Sequence, residues 1–262
     1  MLYNSKNNII PDINTAYKSI SGADLPISVY LPENFDKTKK YPTVIAIHGG
    51  GWYAVTPESP EWKGGVMSHN AIYYKNKGYV GITFSYRSIN FSPNTEIRDL
   101  ISDCFDALLH IKNNFDFIDE KNVVFMGDSA GGHLALSLIM GLCVPSDLPI
   151  NPQLAVICNP VTDCVCEKWS YCAKTEENRI SASPLHNPKR ILPKTLIIHG
   201  TSDACVDIND SRNFYDKMKS AKNDIELIEL EERKHAFIVY GYRDSDEKVS
   251  EVHELIDTYI KF

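Results

Sequence analysis

Residues 127 to 131 read Gly127-Asp128-Ser129-Ala130-Gly131, with the apolar run Val123-Val124-Phe125-Met126 before them and Gly132-His133-Leu134-Ala135-Leu136 after. A serine at the apex of a tight strand-to-helix turn has its hydroxyl lifted clear of the sheet, and small neighbours let the backbone turn without a clash. Such a hydroxyl is a poor nucleophile until an imidazole takes its proton, and the imidazole needs a carboxylate to hold its tautomer. The chain offers both, in the order this turn calls for. Asp203 stands just past the apolar run Thr195-Leu196-Ile197-Ile198, and His235 lies in a loop after the apolar stretch 225–230. Ser129 is therefore expected as nucleophile, His235 as base and Asp203 as the acid that orients it. Attack on a carbonyl also builds negative charge on its oxygen, which preorganised N–H groups must meet. His48-Gly49-Gly50-Gly51-Trp52 follows the apolar run Thr43-Val44-Ile45-Ala46-Ile47. The amides of Gly50, Gly51 and Ala130 are the expected donors, because glycines bring backbone close to a reacting atom with no side chain in the way.

The remaining polar candidates read as structural. His110 and His253 fall in helical patterns and His186 in a proline-bounded loop, so packing or solvation accounts for them. His133, one turn after Ser129, is expected to brace the turn, while His48 and His199, at strand ends beside glycine, are expected to hold loops. Asp207 and Asp210 open the next helix, where acids serve as caps. Seven cysteines at 104, 143, 158, 164, 166, 172 and 205 have no regular spacing, and Cys164, Cys166 and Cys172 lack a histidine at ligand distance. Free thiols and no metal site are expected.

These residues need a scaffold that gathers strand ends. Short β-rich runs at 43–47, 79–84, 122–126, 154–158, 194–198 and 225–230 alternate with helical patterns at 65–77, 94–114, 130–142, 208–220 and 246–260. Segments 15–20 and 26–31 precede them as an antiparallel pair around Ser21-Gly22-Ala23-Asp24. The pattern predicts an α/β protein with a mostly parallel eight-stranded sheet, helices on both faces and a single domain over 1–262. The long stretch 159–193 reads as an irregular insertion forming a small cap over the site. With 262 residues, 43% hydrophobic and 23% charged, the chain can bury a large core, and no apolar run approaches a membrane span. A net charge of −7 gives no reason to bind nucleic acid or anionic lipid. The first eleven residues lack a secretory pattern, so a cytoplasmic location is expected, and a homo-oligomer is left open.

Together, His48 to Trp52, Gly127 to Gly132, His199 to Asp203 and His235 to Phe237 resemble the α/β-hydrolase superfamily over roughly residues 15 to 260. The branch resembled is that of compact carboxylesterases related to hormone-sensitive lipase, including acetyl-xylan and feruloyl esterases and kynurenine formamidases. The resemblance implies a cofactor-free serine hydrolase that works through an acyl-enzyme. Tyr86-Arg87 also resembles a family element near the glycine loop, with a structural role. The larger lipase-like members carry an N-terminal helical lid, whereas only about 40 residues precede the His48 strand here, so an open groove is expected. Trp52, Trp62 and Trp169, with Tyr53 and Tyr171 nearby, are candidates to stack a sugar ring or an aromatic acyl group. The expected substrate is a short-chain ester, acetyl or feruloyl, of a small molecule or oligosaccharide. Amide cleavage of the formamidase or acyl-peptidase kind is the alternative, and an inactive binding module of the same fold is the reading from a different class.

Overall fold

The computed structural model describes residues 10–59, 62, 66–145, 147–188 and 191–261. Most of the first eleven residues, on which the reading of the N-terminus rests, lie outside them.

Side-chain alternation dictates how the central strands sit. In β3 (Tyr41–Ile47), Ile45 and Ile47 belong to one buried cluster and Val44 and Ala46 to another, as a strand covered on both faces requires. The split recurs along β5 (Ile118–Asp128), β6 (Leu154–Cys158) and β7 (Lys194–Gly200). Phe125, Ile157 and Ile197 join the Ile45 face, while Met126, Val156 and Leu196 join the other. The first face is covered by α2 (Ile97–Asn114), α3 (Ala130–Ile139) and α5 (Ile208–Ser220), and the second by α1 (Ser68–Lys75) and α6 (Asp246–Asp257).

With β1 (Ile13–Ile20), β2 (Ala23–Tyr30), β4 (Val80–Phe84) and β8 (Ile225–Leu230), the sheet has eight strands in the order β1-β2-β4-β3-β5-β6-β7-β8. The β1-β2 and β2-β4 pairs are antiparallel, and all pairs from β4 across to β8 are parallel. This is the eight-stranded, mostly parallel sheet with helices on both faces that the sequence pattern predicts. Register does the rest: Ile47 pairs with Gly127, Asp128 with Cys158, and Cys158 with Ile198. The chain segments beginning at His48, Ser129, Asn159 and Thr201 thus leave one edge of the sheet side by side, where open α/β sheets put their ligands.

Some boundaries differ from those expected. Helix α3 ends at Ile139 rather than 142, because Gly141 takes a left-handed φ of +67° and closes the helix. Within 159–193 the chain is not irregular throughout: it forms a 3₁₀ turn at Glu167–Cys172, helix α4 (Glu176–Ala182) and a second turn at Pro184–His186. Thr175 starts α4 by accepting a hydrogen bond from Asn178 N at 3.2 Å. Among the described residues, no helix is long and apolar enough to cross a membrane.

Candidate active site

Ser129 sits where β5 breaks into α3, with φ +55° and ψ −120°. A non-glycine residue holds such a conformation only when its surroundings over-determine it. Here Ser129 N donates to Cys158 O at 2.9 Å and Ser129 O accepts from His133 N at 3.0 Å. Two flanking glycines are dictated by close approach. A Cβ on Gly131 would stand 2.1 Å from Ile47 O, and one on Gly127 would stand 2.5 Å from Gly131 O.

His235 Nδ1 donates to Asp203 Oδ2 at 2.7 Å, which leaves Nε2 to accept from Ser129 Oγ at 2.8 Å. The three candidates named from sequence order therefore form one hydrogen-bonded chain. Asp203 is held from its other side by Cys205 N at 2.7 Å and Val206 N at 2.9 Å, both on Oδ1. His199 Nε2 lies 3.3 Å from Oδ2. Burial pushes the Asp203 carboxyl up, but the hydrogen bonds from His199, His235 and the backbone hold it well below the usual carboxylate range. For His235, burial disfavours the charge. The bonds to Asp203 and Cys205, and the negative charges of Asp128 and Asp203, outweigh it and raise the imidazole above its ordinary value. His199 was expected only to hold a loop; the structure adds that it touches the orienting carboxylate.

The glycine loop wraps the same hydroxyl. A Cβ on Gly49 would lie 3.1 Å from Ser129 Cβ. Gly49 O faces His48 Nδ1 at 2.8 Å, and Gly50 O accepts from Tyr53 N and Ala54 N. In a planar trans peptide the next N–H points the opposite way, so the amides of Gly50 and Gly51 are turned away from those contacts. The left-handed φ of both, +103° and +60°, explains why glycine is needed there. Ala130 opens α3, where a helix leaves its first N–H groups free of intrahelical partners. His48 packs flat on Tyr86, whose hydroxyl donates to His48 O at 2.6 Å, and burial pulls the His48 pKa down to about 4. It is a neutral strut for the loop.

A cavity of about 420 Å³ opens over Ser129 and His235, walled by Gly50, Gly51, Tyr53, Trp169, Tyr171 and Tyr242 among others. Of the three tryptophans expected to bind substrate, only Trp169 lines it. Trp52 is 1% exposed, its ring set edge-on against His133 and Trp169 beneath the glycine loop. Trp62 is buried against Leu25 and Val55, with its indole N–H donating to Asp24 O at 3.0 Å. Both are corrected to packing roles. The exposed rings are Tyr53, Tyr171 and Tyr242. Arg243, Cys205 and Asp128 also reach the cavity, and neither Arg243 nor Tyr242 carries a motif; their only signal is nearness to His235 along the chain. Asp128 is buried, its charge disfavoured by that burial, and Asn159 Nδ2 donates to it at 2.8 Å.

Besides the Asn159 bond to Asp128, the 159–193 stretch is tied to the glycine loop and to the elbow helix. Tyr171 Oη donates to Gly51 O at 3.0 Å, and His133 Nε2 donates to Ala182 O at 2.9 Å. His133 therefore braces the elbow helix against α4. Cys164 Sγ lies 3.3 Å from the same nitrogen, and all seven cysteines are free thiols. Among the described residues, no three histidine, cysteine or acidic side chains gather as metal ligands.

Comparison with known proteins gives consistent neighbours. A model of the prolyl oligopeptidase family matches residues 95–261, and one described as BD-FAE matches residues 27–147. The chain is 26% identical over 254 residues to "Probable dipeptidyl-aminopeptidase B" of Paracoccidioides brasiliensis, covering 89% of this chain and 25% of that protein. It thus spans about a quarter of the length of the dipeptidyl-aminopeptidase relatives it matches. Among solved structures, Thermogutta terrifontis esterase 2 phosphorylated by paraoxon aligns with a TM-score of 0.79 at 26% identity, covering 94% of this chain and 92% of that one. The same esterase with propionate bound aligns at 0.76 and 25% identity, with 94% of each chain covered.

Proposed function

The chain belongs to the prolyl oligopeptidase family and is a serine hydrolase of the α/β-hydrolase fold, and from that premise we propose that it is a carboxylic ester hydrolase acting on short acyl groups. The single observation that carries the reading is the unbroken chain Ser129 Oγ, His235, Asp203 at 2.8 and 2.7 Å, opening into a cavity beside a glycine loop. In the proposed cycle Ser129 attacks the ester carbonyl as His235 takes its proton. The amides of Gly50, Gly51 and Ala130 receive the developing oxyanion. His235 then passes the proton to the leaving alcohol and activates water to release the acid.

Three features favour a short acyl or aromatic acyl ester. The cavity is small, its exposed walls are tyrosine rings, and a structural neighbour binds propionate. The BD-FAE match is in keeping with an acetyl or feruloyl ester of a carbohydrate. Residues 159–193 serve as a small cap in a chain we take to be one domain. The prolyl oligopeptidase match supports amide cleavage as the second reading, since the same machinery serves both reactions.

Paraoxon phosphorylates a structural neighbour, which supplies the test. Treatment of this protein should place one diethylphosphoryl group on the peptide containing Ser129 and abolish hydrolysis of 4-nitrophenyl acetate. Ser129→Ala should lower kcat by about 10⁶-fold, the scale seen when such a serine is removed. Full activity in that variant would refute the assignment. Parallel assays on acetylated xylo-oligosaccharide, a feruloyl ester and an aminoacyl anilide decide between ester and amide.

A further inference from the structure

A second hollow of about 660 Å³ lies on the other side of Tyr171, which lines both cavities. Its walls include Asn90, Ser92, Glu96, Ser170, Lys174 and Arg179. The charges there do not balance internally. Arg179, on α4, donates from Nη1 to Ala173 O at 3.0 Å and Ser170 O at 3.5 Å, while its buried Nε has no partner. Arg87, Arg98, Arg212 and Arg233 each have a carboxylate oxygen within 4.0 Å; among the described residues Arg179, like Arg243, has none. Among the described residues, the Lys174 ammonium donates to the neutral amide oxygen of Asn94, at 2.8 Å, and to no acid. The one acid in the wall, Glu96, is already engaged. Its Oε1 accepts from Lys174 N at 2.9 Å, and its Oε2 accepts from Asn178 Nδ2 at 2.8 Å and lies 3.3 Å from Arg98 Nη2.

Two cations without acids therefore face a cavity in a protein of net charge −7. Holding a partly buried guanidinium without an acid costs free energy, which a carboxylate in the hollow would offset. Ser92, Ser170 and Asn90 line the same cavity as the Tyr171 ring, a combination of polar groups and an aromatic face that suits a hydroxylated ring. We propose that this cavity is a subsite for a uronic-acid sugar, with Arg179 and Lys174 on its carboxylate and Tyr171 separating it from the scissile bond. The proposal takes from the ester-hydrolase reading only where that bond lies.

Calorimetric titration with D-glucuronate and D-glucose tests the subsite without any ester chemistry. Glucuronate is expected to bind at least about tenfold more tightly than glucose, the scale of one charge-assisted contact. Arg179→Gln should erase the difference, Arg179→Lys should keep part of it, and Lys174→Gln should weaken glucuronate several-fold. Equal binding of the two sugars to the unaltered protein, or a preference that survives both glutamine variants, overturns the proposal. Turnover of acetylated glucuronate against acetylated glucose should show the same ratio and the same loss. If the sugars bind as expected but no ester is cleaved, the hydrolase reading fails and the subsite stands; cleavage with no uronate preference sinks the subsite alone.

Discussion

His235 carries the proton on which the proposed chemistry turns, and its surroundings decide when that proton leaves. Burial alone would strip the charge, but the carboxylate of Asp203 and the field of Asp128 win, so the imidazole titrates above its ordinary 6.5. Only the neutral ring can take the Ser129 proton. Activity should therefore rise with pH, with the acid limb of kcat/KM for 4-nitrophenyl acetate centred above 6.5; a limb at or below that value would contradict the electrostatics. Asp203→Asn removes the largest favourable contact, so the limb should move down while kcat falls by about 10⁴-fold. The serine, acid and histidine were legible in the sequence because each follows an apolar run that ends at one sheet edge. The rings were not. Trp52 and Tyr53 are adjacent in the chain, yet one is buried and the other half exposed, and which way a ring faces is settled by packing from distant segments.

The turn between β5 and α3 works only because α3 lies almost against the end of β3. Gly131 marks the contact, and a methyl group there would have to displace the carbonyls of Ile47 and His48. Gly131→Ala should therefore lower stability by about 3 kcal/mol, at the upper end of overpacking effects, and cost activity as the glycine loop shifts. Thermal denaturation checks the first and ester hydrolysis the second; a variant with unchanged Tm and rate would show that the contact is not tight. Strands and long helices were readable from periodicity, with β6, β8 and α5 ending where the pattern does. Helix α4 was not, because seven residues among serines and prolines give no periodic signal and its start depends on one capping threonine.

The molecule is also fastened across elements far apart in sequence. Asp103 on α2, wholly buried, accepts from Lys18 of β1 at 2.8 Å and from Arg87 Nε, just past β4, at 2.6 Å. Removing the acid leaves Lys18 with Asp106 at 2.6 Å, but it takes from the largely covered Arg87 its close partner and leaves only Asp99 at 3.8 Å. Asp103→Ala should cost about 3 kcal/mol in urea unfolding with an unchanged slope, and a loss below about 1 kcal/mol would show the network to be ornamental. Such pairings, like the sheet order β1-β2-β4-β3, join residues whose separation along the chain leaves no local trace, so only the class of fold could be read beforehand. The bonds from Tyr171 to Gly51 and from His133 to Ala182 have a last implication. Residues 159–193 cannot be an interchangeable cartridge. A chimera that grafts in a foreign stretch without a hydroxyl for Gly51 O and a carbonyl for His133 would slacken the glycine loop and the elbow helix at once.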